Sequence, residues 1–247
     1  MTTRLLCLLQ QTSFLPNVPM VQQEDLVVKK CKTVDACSTL EAEYFSLITI
    51  HHALQERSAF QAPQPVFFTG AEANWEDLPP FPPNDVKRTS VYSMARVLPL
   101  PRLLRHQIIN TFAPATADKS VFLSKLFIAR LLLGRADDAA RSAPRQFFSV
   151  YNFPLTAADC RTLKLPVADI AREMGRAYAA LHMHAGVDAR DVKFVLGGRG
   201  RRSNGVGNKL GTQMDRLALA VIDFNQVQRW SKHADGITAV VSAFLGK

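Results

Sequence analysis

The chain has 247 residues, a formal net charge of +9, 47% hydrophobic and 21% charged side chains. A chain of this length buries a substantial core, and the balance excludes wholesale disorder and fibrous architectures. All 12 glycines stand at Gly70 or later, six of them between Gly197 and Gly211.

Leu26, Val27 and Val28 form a short apolar run closed by Lys29 and Lys30, which predicts a strand with cations at its end. Ser38-Thr39-Leu40-Glu41 has capping-box spacing: the hydroxyl accepts from an open backbone N–H and the carboxylate reaches back. A helix is expected from about Thr39 to Arg57, with Leu40, Tyr44, Leu47, Ile48, His51 and Leu54 on one face. Pro63 to Thr69 fits a strand, and Pro79 to Pro83 a loop that cannot be helical.

Val91 to Leu98 predicts a strand, broken by the proline-rich run to Pro101, and Arg102 to Phe112 a helix. Val121 to Leu133 is apolar without alternation, so helix and strand ending at Gly134 both remain open. Asp137 to Pro144 reads as a polar loop, and Phe147 to Phe153 as a strand closed by Pro154. Pro166 suits the first turn of a helix, where its missing N–H costs nothing. Val167, Ile170, Ala171, Met174, Tyr178, Leu181 and Ala185 form the apolar stripe of that helix, and Gly186 the stop. Val192 to Leu196 predicts a short strand and Leu217 to Ile222 a buried one ending in Asp223. Between them Gly197 to Gly211 carries four cations, no acid and no aromatic side chain, which favours a solvated insertion over an RNA-binding tract.

Cys7, Cys31, Cys37 and Cys160 show no zinc-ligand spacing, so no zinc site is expected. Arg4 to Leu9 is too short an apolar run for a secretory leader, and no stretch has the length of a membrane span. An intracellular protein, cytoplasmic or nuclear, with no membrane partner is the expectation.

Three pieces stand in an order with chemical meaning. A strand-end lysine, Lys30 with Lys29 competing, precedes a helix that bears Glu43. Glu43 is preferred over Glu41 because the cap already explains Glu41. A long helix then leads to Asp188, and a buried strand ends in Asp223. Phosphoryl transfer from ATP needs a cation on the phosphates, a carboxylate for Mg²⁺ and a second carboxylate to orient the accepting hydroxyl. In kinase order these roles fall to Lys30 held by Glu43, to Asp223, and to Asp188. The bland reading makes both aspartates turn residues. His182 and His184 lie two apart and cannot readily ligate one metal from a helix; a histidine next to the helix end favours the dipole when protonated.

Two features oppose catalysis. Residues 1 to 69 contain no glycine, so the glycine loop expected before the lysine is missing. Lys193 stands where a metal-binding asparagine is expected, and a cation there repels Mg²⁺; Asp191 is the nearest substitute ligand.

Phe14 to Pro19, Phe147 to Leu155, Leu181 to Leu196, Val221 to Asn225 and Ala239 to Leu245 resemble a fungal domain of unknown function, whose members are loosely named zinc-finger-like proteins. The block from Ala171 to Asp223 is the most specific part. The resemblance implies a fold rather than an activity. Members of that family continue past the segment near residue 244, so the chain reads as a truncated or divergent member.

The expected fold is α+β and protein-kinase-like. A small, incomplete N-terminal lobe of strands with one helix (about 1–153, with insertions) precedes a mainly helical, truncated C-terminal lobe (154–247), the whole forming a single domain. The leading expectation is a non-catalytic or impaired kinase-like domain that acts by binding an unknown protein partner, with no cofactor. One alternative is an active ATP- and Mg²⁺-dependent small-molecule phosphotransferase of the aminoglycoside or choline kinase type. Another is a basic nucleic-acid-associated protein, contacting nucleic acid through the 197–211 loop.

Overall fold

The computed structural model describes residues 5–6, 26–31, 36–70, 89–134, 148–151, 153–199, 216–231 and 233–245. In chain order the strands are β1 (Leu5–Leu6), β2 (Leu26–Lys30), β3 (Phe60–Gln61), β4 (Pro65–Thr69), β5 (Val91–Ala95), β6 (Ala129–Leu132), β7 (Phe153–Thr156), β8 (Lys193–Gly198) and β9 (Leu217–Ile222). The helices are α1 (Cys37–Leu54), α2 (Arg102–Phe112), α3 (Lys119–Leu123), α4 (Ala157–Thr162), α5 (Val167–Ala179) and α6 (Ala234–Leu245). The class is α+β, with two sheets. One runs β1-β2-β5-β4, antiparallel throughout; the other runs β3-β9-β8-β6-β7, with β3 parallel to β9 and β6 parallel to β7.

Helix α1 begins two residues earlier than expected and the Ser38–Glu41 capping box does not form. A capping serine must stand outside the helix, and here the chain is already helical at Cys37, after Ala36, which gives no side-chain cap. The helix stops at Leu54 rather than Arg57, because Glu56 turns to a φ of 66° that no helix accepts. Its buried stripe is Leu40, Glu43, Leu47, Ile50, Ala53 and Leu54, so the inward face is rotated from the expected one. Tyr44, Ile48 and His51 are only half-buried. A capping box does form at α4, where Thr156 Oγ1 accepts from Asp159 N at 3.2 Å and Asp159 Oδ2 accepts from Thr156 N at 3.0 Å.

The apolar run from Val121 to Leu133 is neither one helix nor one strand. It finishes α3, turns at Ser124, crosses an irregular link and becomes β6. The strand expected over Phe147 to Phe153 lies instead at Phe153–Thr156 and contains Pro154. The proline is tolerated because β7 is the edge of its sheet, where an N–H is not needed by an outer neighbour. Strand β5 stops at Ala95, short of Leu98. Pro79–Pro83, Asp137–Pro144, Phe147 and residues 200–211 of the glycine-rich loop lie outside the described residues.

Helix α5 and a π-helical turn at Ala180–His184 together fill the span expected from Pro166 to Ala185, with Pro166 one place earlier, at the N-cap. Gly186, at a φ of 66°, provides the stop. Ile170, Ala177, Leu181 and Ala185 are buried, whereas Ala171 faces solvent. The stripe also buries Glu173, whose Oε2 accepts from Ala59 N at 2.8 Å and whose Oε1 accepts from Arg176 Nη1 at 2.6 Å. Ser58 Oγ donates to the Glu173 carbonyl at 3.3 Å, so one residue ties α5 to the entry of β3. Glu173→Ala is expected to cost about 1.5–3 kcal/mol, since the Ala59 N–H is left unsatisfied. Urea unfolding checks this, and Glu173→Gln, which keeps an acceptor, should cost less.

A pair of glycines lets the chain cross between the two sheets. The segment after β5 reaches β8 through a bridge of Leu98 with Gly198, and Gly198 N donates to the Leu98 carbonyl at 2.8 Å. A Cβ at Gly197 would lie 2.7 Å from the Leu98 carbonyl oxygen, and one at Gly198 would overlap that of Pro99. Both positions exclude a side chain.

Candidate functional site

The site is built on β2, α1 and β5. Lys29 and Tyr92 are direct cross-strand partners in the register of β2 with β5, so they share a face. Alternation along β2 points Lys30 to the opposite face. Glu43, one turn after Leu40 on the buried stripe of α1, meets Lys29 in an ion pair that is almost wholly removed from solvent. The sequence expectation that Lys30 is held by Glu43 is therefore corrected to Lys29. Lys30 is also buried. Tyr92 Oη donates to Glu43 Oε1 at 3.1 Å. Burial pushes the Tyr92 phenol far above its ordinary range, and the Glu43 carboxylate and then Asp223 push it further. It is a fixed neutral donor.

The remaining predicted residues stand on β8 and in the turns beside β8 and β9. Strands β8 and β9 pair with Lys193 opposite Ile222, which sets the Lys193 side chain beside the next residue, Asp223. Lys193 Nζ forms an ion pair with Asp223 Oδ2, each side chain retaining 27% exposure. Asp223 leaves β9 at a φ of 71°, a left-handed conformation uncommon for a residue with a Cβ and concentrated at functional turns. Phe224 is buried behind it, and Asn225 Oδ1 is buried without a partner among the described residues.

Asp188 is committed to structure. Its Oδ1 accepts from Arg190 N at 3.0 Å and Gln228 N at 2.9 Å, and its Oδ2 faces Arg190 Nε at 3.5 Å. With 7% of its side chain exposed, it joins the turn after α5 to the segment that follows Asp223. A bridge of Val187 with Arg229 extends that junction. His182, whose Nδ1 lies 2.9 Å from the Val187 carbonyl, fixes the approach to Asp188. Asp191 Oδ2 accepts from Gln226 Nε2 at 3.2 Å.

The structure thus gathers Lys29, Glu43 and Tyr92 in one cluster and Asp223 with Lys193 in another. Both carboxylates expected to ligate Mg²⁺ have other partners here. One expected ligand, Asp223, already holds an internal cation, and the other, Asp191, holds a glutamine amide. Among the described residues no three His, Cys, Asp or Glu side chains are grouped to hold a metal ion. Tyr92 was not among the residues singled out from the sequence. Its signal was present, since it lies in an apolar strand run where a phenol needs a buried acceptor.

No family model and no curated protein matches the chain. Among the described residues no helix is long and apolar enough to cross a membrane.

Proposed function

We propose that the chain is a kinase-like domain without phosphotransfer activity that acts by binding a protein partner. The observation that carries this reading is the ion pair of Lys193 with Asp223. In a phosphotransferase the carboxylate at this place in the chain holds the metal that bridges the phosphates. Here the ammonium group occupies it and supplies the compensating charge internally. Asp188, the counterpart of the hydroxyl-orienting carboxylate, is spent on the backbone N–H groups of Arg190 in its own turn and of Gln228 in the segment after Asp223. The absence of glycine before residue 70 adds to this, because phosphate cradling by backbone needs residues without a Cβ. The Lys29–Glu43 pair survives as scaffold. The resemblance to the fungal family belongs to the same reading, its quoted block from Leu181 to Leu196 containing both Asp188 and Lys193. Exposed Leu103 on α2, and Val121 and Leu126 in and after α3, offer apolar contact surface to a partner.

Thermal-shift titration with ATP and Mg²⁺ tests the reading. The expected result is no metal-dependent rise in the unfolding temperature. A clear metal-dependent rise, followed by phosphate transfer to a small hydroxyl compound, would select the active phosphotransferase instead.

A further inference from the structure

Cys31 follows β2 directly and Cys37 is the first residue of α1, and their Sγ atoms lie 2.8 Å apart. The strand face that carries Lys29 toward Glu43 also carries Cys31 toward Cys37. Both sulfurs are held in place by the segment before β5. Cys31 Sγ donates to the Ser90 carbonyl at 3.1 Å, and the Ser90 N–H donates to Cys37 Sγ at 3.4 Å. Thr89 Oγ1 donates to the Cys31 carbonyl at 3.0 Å, fixing the backbone beneath the pair.

We infer that Cys31 and Cys37 form a redox-active dithiol that is oxidised to an intramolecular disulfide by low-molecular-weight disulfides such as oxidised glutathione. A sulfur–sulfur bond is about 2.0 Å long, so closure asks for a displacement of under about 1 Å. The two thiols have different tasks. Cys37 is partly exposed, accepts a backbone N–H and sits in the first turn of an 18-residue helix, where negative charge is favoured. It is the attacking thiolate. Cys31 is buried, and burial followed by the neighbouring Cys37 thiol push its pKa up to about 11, so it keeps its proton until the second step.

In the first step the Cys37 thiolate attacks one sulfur of the oxidised glutathione and releases a glutathione thiolate, which takes up a proton from water. In the second, Cys31 attacks the Cys37 sulfur of the mixed disulfide and the second glutathione leaves with the Cys31 proton. The protein loses two electrons and two protons, and one glutathione disulfide becomes two thiols. The resulting bond joins the strand that carries Lys29 to the helix that carries Glu43. The inference holds whether or not the domain binds nucleotide.

The test equilibrates the full chain in buffers of graded reduced and oxidised glutathione, quenches with acid, alkylates and maps peptides by mass. The expected product is a Cys31–Cys37 bond, its peptide lighter by two hydrogens. The ratio of disulfide to dithiol should rise in proportion to oxidised glutathione divided by the square of reduced glutathione. In Cys31→Ser, Cys37 should stop at a stable mixed disulfide. In Cys37→Ser, Cys31 should stay unmodified. If either variant fails to fold, the map of the unaltered chain decides. Wild-type protein that stops at the mixed disulfide, bonds to Cys7 or Cys160, or alkylates at both thiols in the most oxidising buffer would overturn the inference.

Discussion

Glu43→Ala is expected to destabilise the protein by about 3–5 kcal/mol, because it strands a buried ammonium group rather than merely deleting a contact. Lys29 has nowhere to reach solvent from the face between β2 and α1, and Tyr92 loses its acceptor in the same change. The measurement is urea unfolding, read as a shift in midpoint at constant slope. Lys29→Met with Glu43→Leu in one chain should recover the part of that loss that comes from the stranded charge, leaving only the cost of the Tyr92 hydroxyl without its acceptor. Recovery by the double variant separates a charge effect from a packing one. A loss under about 1 kcal/mol in the single variant would place the pair in the class of solvent-screened surface bridges and refute the burial argument.

Phe60→Ala should have an effect of the same order, about 3–5 kcal/mol, through packing alone. Phe60 is fully buried on the two-residue strand β3, and its ring meets Phe194 edge-on with centroids 5.0 Å apart. Phe194 in turn packs on Tyr178 at 4.8 Å, and Tyr178 stacks on His182. The row of rings connects the strand after α1 to α5, and β3 is too short to hold its place by backbone pairing alone. Phe60→Leu, which refills much of the volume, should lose clearly less in the same urea titration. Equal losses for Ala and Leu would mean that ring geometry rather than volume is what β3 depends on.

Much of the fold was legible because it rests on local signals. Strand β2, helix α2, strand β9 and the long helix ending at Gly186 follow from apolar periodicity and from proline and glycine at the ends. The failures were of another kind. Ser38 and Glu41 have the right spacing for a cap, yet the helix starts before them, at Cys37, whose sulfur accepts from the N–H of Ser90, far from it in sequence. Pro154 looked like a terminator and is a strand residue, since whether a proline is tolerated depends on being at a sheet edge, which no local pattern reports. In the candidate site, Glu43 and Asp223 were legible from position alone. The choice of Lys29 over Lys30 was not, because it depends on which face of β2 receives α1. The partner of Asp223 depended on the register of β8 with β9, although Lys193 already stood out as a cation where an oxygen ligand was expected.

The crossing at Gly197 and Gly198 has a consequence for the opposite end of the same strand. Strand β8 is pinned twice: at Gly198 by a chain passing too close to admit any side chain, and at Lys193 by a charge. A slip of one residue would turn every side chain of β8 to the other face, burying Lys193 and pressing a Cβ-bearing neighbour into the crossing. The two glycines therefore act as an index mark. They fix, from the far end of the strand, which residue of β8 stands opposite Ile222, and so which charge Asp223 meets.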